Sequence, residues 1–378
     1  MDTKKKTVLY FYSYLSSFVN KDIEILSSQF EVKTFDFYTP KKSGTPLQFI
    51  AQKLFLLKNI WTADLIICQF AGYSSFLPAL FGKLFSRPSI IVVGGTDAVS
   101  FPSIGYGNFY KGLLGAFTKW SYRLCSHITP KHKTLMLCDY DYEPDDFPQQ
   151  GILFHCPGLK KPFTEITNGY DAQKWFCNRE KKKNTFITVS GGWEYPFQIK
   201  LKGIDLIVQI APSFPECEFI IVGMPDEKLI SQKPANLKIL PPTPNDKLID
   251  LYGECEFYLQ LSMAEGFPNA LCEAMLCECI PVGSNVFSIP EIVADSGFIL
   301  KHKSIDELKQ LITRAINADK NSLRKKARKR IEDNYTVEMR KEKLIELSHR
   351  IKRIAILEIP IKKAILKGLI QPKAIQRE

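Results

Sequence analysis

Two carboxylates, Glu265 and Glu273, bracket seven residues that contain a turn signal. Just upstream, Phe257-Tyr258-Leu259-Gln260-Leu261 reads as a buried strand. Gly266 and Pro268 then break the chain, and Asn269 is a good N-cap for a helix opening at Ala270. Glu265 therefore falls on a strand-to-helix loop and Glu273 in the first turn of the helix. Free backbone N–H groups at a helix start attract phosphate, while carboxylates accept hydrogen bonds from sugar hydroxyls. A ligand that is both phosphate ester and polyol fits this pairing, and a nucleotide sugar is both. Taken singly, either glutamate reads as ordinary surface.

The longer string Glu265-Gly266-Phe267-Pro268-Asn269-Ala270-Leu271-Cys272-Glu273-Ala274-Met275, with Ile280-Pro281-Val282 and Ile289-Pro290-Glu291-Ile292-Val293 after it, resembles the E-x7-E signature of retaining family-4 glycosyltransferases. The resemblance implies an α/β GT-B architecture, two Rossmann-like parallel-sheet domains facing a cleft. It implies transfer of a sugar from a UDP- or GDP-linked donor, itself the substrate, with retention, no bound metal and no further cofactor. By resemblance Glu273 holds the ribose hydroxyls, and Glu265 the donor sugar or its developing charge. Lys202, in its Lys-Gly context, is the cation for the leaving diphosphate. Gly266, Phe267, Pro268, Asn269, Ala270, Gly191, Gly192, Lys200 and Gly223 complete the donor side.

Strands alternating with helices must position these groups. Apolar runs at Thr7–Tyr12, Phe30–Phe35, Ala63–Phe70, Ser89–Val93 and His127–Thr129 read as strands of a parallel sheet covered on both faces. Helices are predicted over Pro46–Lys58, Ser75–Phe85 and around Phe109–Leu124. Ligands bind such sheets at the strands' carboxyl ends. That makes the 13–17 loop with Ser16, the Gly72 loop and Gly94-Gly95-Thr96-Asp97 the rim of the first half. Gly95, Thr96 and Ser16 are assigned to the acceptor side and Asp97 to catalysis; a tight turn without ligand is the competing reading of Gly94-Gly95. A second alternation begins at Phe186–Ser190 and runs through Gly191-Gly192, Lys202-Gly203, Phe219–Gly223, Leu237–Leu240 and Asp246–Tyr252 to the glutamate pair. Domains are placed at 1–172 (acceptor), 185–335 (donor) and 336–378 (basic helices crossing back). The charged stretch Arg179–Asn184 lies in the 173–184 linker and is taken as solvated surface.

The chain departs from the family pattern twice. Gly192-Trp193-Glu194 stands where many members carry an Arg, and the first half offers Asp97 where many have a His. A non-catalytic sugar-nucleotide-binding or partner protein, or a nucleotide-sugar epimerase on the same fold, are the rival readings.

The 378 residues suit two domains. Ten cysteines form no C-x-x-C pair and read as reduced thiols, and no apolar run reaches the ~18 residues of a membrane span. A cytoplasmic protein, soluble or peripheral on the inner face of a membrane, is expected. The net charge of +11 belongs to the end of the chain: from Lys320 onward stand 18 Lys/Arg and 7 Asp/Glu, while the other 319 residues hold 33 of each. Leu344, Ile345, Leu347, Ile351 and Ile354 recur there at helical spacing. A crossover helix with solvated charge is the first reading of this stretch, and docking of the basic tail on an anionic membrane surface is the second. No nucleic acid is expected, because no aromatic–basic motif accompanies it. The expected acceptor is a glycan or a lipid-linked saccharide in cell-surface polysaccharide or glycolipid synthesis.

Overall fold

A computed structural model describes residues 5–177, 179–191, 193 and 195–366, with side chains as far as Ile351 apart from Lys42. The first domain strings β1 (Lys6–Tyr12), α1 (Ser17–Ser27), β2 (Phe30–Asp36), α2 (Thr45–Asn59), β3 (Ala63–Gln69), α3 (Tyr73–Leu84), β4 (Ser89–Val93), α4 (Gly112–Leu124) and β5 (His127–Pro130) into one parallel sheet, order β2-β1-β3-β4-β5. A two-stranded flap, β6 (Cys138–Asp139) with β7 (Gln149–Gln150), and the short α5 (Ile152–His155) follow. Both faces of this sheet are buried, so its strands are near-continuous apolar runs. Alternate side chains of β1 go to different layers. Val8 and Tyr10 pack with Val19 and Leu26 of α1, while Leu9 and Phe11 pack with Leu56 of α2, Ala79 of α3 and Tyr122 of α4.

The second domain comprises β8 (Lys182–Val189), α6 (Gln198–Leu201), α7 (Ile204–Ile210), β9 (Glu218–Val222), β10 (Leu237–Leu240), α8 (Asn245–Glu254), β11 (Cys255–Gln260), α9 (Asn269–Leu276), β12 (Ile280–Ser284), α10 (Ile289–Val293), β13 (Phe298–Leu300) and α11 (Ile305–Ile316). Its parallel sheet has the order β10-β9-β8-β11-β12-β13. Phe186 stacks on Phe219 (centroids 5.1 Å apart) and on Phe257 (4.5 Å), which ties the three central strands together. In each sheet the strand order reverses at one place, β1/β3 and β8/β11, and crevices open there at the carboxyl ends.

Two basic helices follow, α12 (Lys320–Asn334) and α13 (Val337–Leu366). The latter returns to the first domain: Leu344, Leu347 and Ile351 are buried against the α1 layer. Ile354 lies outside the described side chains.

Two readings of charged segments are corrected. The run Arg179–Asn184 is more than solvated surface, since β8 already begins at Lys182. Lys181 Nζ donates to the Tyr252 and Cys277 carbonyls at 2.7 Å each. Nor is the tail a free polybasic segment. Lys320 and Arg324 meet the buried Glu256 at 3.4 and 2.6 Å, and Arg328 donates to the carbonyls of Trp175, Leu276 and Ala172. Lys326 pairs with Asp295 at 2.8 Å. Among the described residues no helix is long and apolar enough to cross a membrane.

Candidate active site

The β8/β11 crevice is where Glu265 sits. Strand β11 ends at Gln260, and the chain turns through Leu261–Pro268 before α9 begins. Lys202 reaches the same spot from the junction of α6 and α7. That junction requires glycine: Gly203 has φ +67°, and a Cβ on it would lie 2.1 Å from the Leu261 carbonyl oxygen. Contact of this backbone with the β11 loop delivers the lysine. Its Nζ donates to Glu265 Oε1 at 2.5 Å, and the same oxygen accepts from Ser262 Oγ at 3.1 Å and Gln260 Nε2 at 3.2 Å. Burial alone would drive Lys202 down; the adjacent Glu265 carboxylate instead holds it above the ordinary lysine range. A permanently charged cation is thus held, next to its counter-ion, at the carboxyl edge of the sheet.

The first domain faces this pair with its β4 loop. A cavity of about 150 Å³ is walled by Gly94, Gly95, Thr96 and Tyr106 on one side and by Ala264, Glu265, Gly266 and Phe287 on the other. Thr96 Oγ1 and Tyr106 Oη lie 2.6 Å apart. The two loops meet at Gly266, where a Cβ would fall 1.7 Å from the Gly94 carbonyl oxygen. We therefore expect Gly266→Ala to prop the domains apart without unfolding either. Small-angle scattering should show a larger radius of gyration than wild type; an unchanged radius would mean the loops absorb the methyl group.

Asp97, assigned to catalysis from the sequence, is placed beside the cleft but differently employed. Its carboxylate is 1% exposed. It accepts from the N–H groups of Ala71 (2.8 Å), Gly94 (3.0 Å) and Gly95 (3.1 Å) and from the Tyr122 hydroxyl (2.9 Å). Burial raises its pKa against those donors. The group shapes the Gly94–Thr96 loop, as a positioning residue does.

Glu273 opens on a separate small hollow with Ser17, Phe18, Lys21, Asn168, Asn269 and Arg340. Burial pushes its carboxyl up to about 7, against the pull of Lys21 and Lys174. Asn269 does not cap α9. Pro268 occupies that position, and Asn269 Oδ1 instead accepts from Asn168 Nδ2 and the Tyr170 hydroxyl, at 2.8 Å each. Phe267 is buried, stacked with Tyr170 and edge-on to Tyr335. The structure therefore groups Lys202, Glu265, Gly266, Gly95 and Thr96, and sets Glu273 and Asn269 on a second hollow, with Pro268 at the start of α9. Lys200 and Gly191 are exposed, and Gly192 and Glu194 lie outside the described residues. Gly223 packs its backbone on Ser190. Ser16, with an unpartnered buried Oγ, is the residue before the first turn of α1.

Motif reasoning missed Gln260, Ser262, Tyr106 and Lys131. The first two flank Glu265 in sequence and were within reach of a strand-end argument. Tyr106 and Lys131 come from loops of the other domain without a signature. Lys131 is 4% exposed, its ammonium 3.7 Å above the Phe18 ring, and burial with Arg340 nearby lowers its pKa to about 7. Across the cleft, Lys133 pairs with Glu291 of the Ile-Pro-Glu-Ile segment at 2.9 Å. Among the described residues no group of three His, Cys, Asp or Glu side chains is placed to hold a metal ion.

Residues 178–334 match the family of group 1 glycosyl transferases. Among curated proteins, a phosphatidylinositol N-acetylglucosaminyltransferase subunit of Saccharomyces cerevisiae is 26% identical over 151 residues, 37% of this chain and 32% of its own. The O-antigen chain mannosyltransferase B of Escherichia coli is 31% identical over 83 residues, 22% of each chain. The chain thus aligns with a third or less of the length of these relatives. Solved structures match almost throughout. The sucrose-phosphate synthase of Thermosynechococcus elongatus aligns with TM-score 0.70 at 13% identity, over 92% of this chain and 99% of that one. HepE of Anabaena, solved with UDP-glucose, aligns at 0.61 and 15% over 90% and 98%, and the lipopolysaccharide glycosyltransferase WaaG at 0.63 and 13% over 89% and 98%. The architecture is GT-B.

Proposed function

We propose that this chain, whose residues 178–334 form a group 1 glycosyl transferase domain, moves a hexosyl group from a UDP- or GDP-linked sugar to a glycan or lipid-linked acceptor. The reading includes retention of anomeric configuration and no metal ion. The observation that carries it is the Lys202–Glu265 pair at the β8/β11 switch point, facing Gly95 and Thr96 of the opposite domain. When the anomeric C–O bond breaks, its electron pair goes to the diphosphate oxygen and positive charge develops on the sugar ring. Lys202, turning from Glu265 to the diphosphate, and the Gly266 and Phe267 amides oppose the first charge. Glu265, released from the lysine, faces the second. Preorganised groups of this kind contribute about 3 kcal/mol each. The 150 Å³ cavity is smaller than the 300–1,000 Å³ typical of ligand sites, so donor entry requires the Gly94–Gly266 contact to part.

Calorimetry with UDP, GDP and ADP tests the donor side. One nucleotide should bind, and Glu273→Ala should weaken it; no binding by any of the three would end the reading. Proton linkage gives a sharper result. Ribose hydroxyls donating to Glu273 favour its carboxylate, whereas the free side chain, pushed up to about 7 by burial, holds a proton below that pH. Binding should therefore release a proton in mildly acid buffer, and affinity should rise from pH 6 to 8, by up to about tenfold per pKa unit displaced. Glu273→Gln removes this rise while leaving the phosphate's own titration, so the difference between the two proteins reports the side chain. Identical pH profiles would take Glu273 out of the ribose site.

A further inference from the structure

We propose that the outward face of α2 docks the protein on an anionic lipid bilayer. Leu47, Ile50, Leu54, Leu57 and Trp61 are 71%, 57%, 62%, 42% and 65% exposed. Spacing of three and four residues puts Leu47, Ile50, Leu54 and Leu57 on one side of the helix, and Trp61, in the turn just past its end, continues the row. The buried side chains of the same helix, Gln52, Leu56 and Asn59, occupy the opposite side. Thus α2 carries a second apolar stripe beyond the one that packs on the sheet. Exposed leucines scattered singly are ordinary; a continuous row is not.

Lys53 and Lys58 are exposed on α2, and the row continues onto its neighbour: Trp61 packs edge-on against Phe85, next to Leu84, which is 67% exposed, and Lys83. Carboxylates are nearly lacking in this part of the chain. From Phe37 to Cys138 it holds 11 Lys/Arg and two acids, Asp64 and Asp97. Asp97 is buried in its loop, and Asp64 accepts the Thr7 N–H at the amino end of the sheet. An apolar stripe flanked by lysines, with no acid among them, is the charge complement of an anionic bilayer surface. Asp36, which accepts the Tyr38 N–H, stands beyond the amino end of the stripe and not within it. The basic tail is a weaker candidate, since much of its charge and its described apolar side face inward.

The location also bears on the acceptor, a point that rests on the glycosyl-transfer reading. A cavity of about 660 Å³ begins at Tyr38 and Thr45, beside the first turn of α2, and ends at Thr96 and Asp97. Docking by α2 would set its mouth at the lipid surface, where a lipid-anchored saccharide could enter headgroup first.

The test uses the full chain with vesicles of phosphatidylcholine alone and of phosphatidylcholine mixed with phosphatidylglycerol. Binding should be at least about tenfold tighter to the anionic vesicles. The double substitution Ile50→Glu, Leu54→Glu, confined to exposed side chains, should lose about tenfold or more on them, with circular dichroism and nucleotide affinity unchanged. Absence of wild-type binding would overturn the proposal, as would equal binding by the variant. A dimer in solution that the variant converts to monomer, without vesicle binding, would make the face a self-interface instead. Failure of wild type to bind any nucleotide strikes the glycosyl-transfer reading and leaves the docking result standing.

Discussion

Lys202→Met should lower the rate of sugar transfer by about 10²–10³ while leaving the protein folded and able to hold a nucleotide. The lysine is the sole cation in contact with Glu265 among the described residues. It neutralises the Glu265 charge where the two side chains are 25% and 14% exposed, so the pair is worth more than one at the open surface. Methionine keeps the length and apolar contact of the stem and removes only the ammonium. Glu265 would retain Ser262 and Gln260 as donors, so the loss in stability should be small beside the loss in rate. Glu265→Gln should produce a defect of similar size. The double variant should be little worse than either, because the two groups act on one transition state and each leaves the other misplaced. Single-turnover rates with the donor identified by calorimetry separate this from binding: kcat falls and the nucleotide Kd changes little. Additive losses, or a Kd that rises in step with the rate defect, would place Lys202 in ground-state binding alone.

What the sequence disclosed and what it concealed follow from the range of the interactions involved. Both sheets were legible because strands buried on two faces must be continuous apolar runs, and the Glu265 loop because its turn chemistry is local. Asp97 shows the limit. A carboxylate at a strand end looks the same in sequence whether it faces a ligand or the amides of its own loop, and here Ala71, Gly94 and Gly95 claim it. Asn269 was drawn away from its capping role by Asn168 and Tyr170, about a hundred positions earlier. The tail's charge looked solvated because the acceptors of Arg328 and Arg324 lie on distant elements. In α2 the apolar residues ran all round the helix, and periodicity alone could not say which stripe meets the sheet.

Arg340→Leu should destabilise the protein by about 3–5 kcal/mol, as expected when one member of a buried ion pair is removed. The guanidinium reaches from α13 to Asp22 on α1, with Nε to Oδ1 at 2.8 Å and Nη2 to Oδ2 at 2.7 Å. Its Nη1 donates to the carbonyls of Ile166 at 3.3 Å and Thr167 at 2.6 Å. Asp22 is 1% and Arg340 5% exposed, so neither charge has water to fall back on. Without the arginine, Asp22 keeps the Tyr10 hydroxyl at 3.3 Å as its donor among the described residues, and two backbone carbonyls lose the donor that Arg340 supplied. The double variant Asp22→Leu, Arg340→Leu removes both charges and should recover much of the loss, because the larger part of the penalty is an uncompensated carboxylate in an apolar layer. Denaturant unfolding of the three proteins measures this. A double variant as unstable as the single one would show instead that geometry outweighs charge at this contact. Since α13 follows the second domain and packs on the first, the pair also fixes how this helix bridges the cleft. Arg340→Leu should accordingly increase amide exchange in α1 and α13 before it does so in the strands around Phe186.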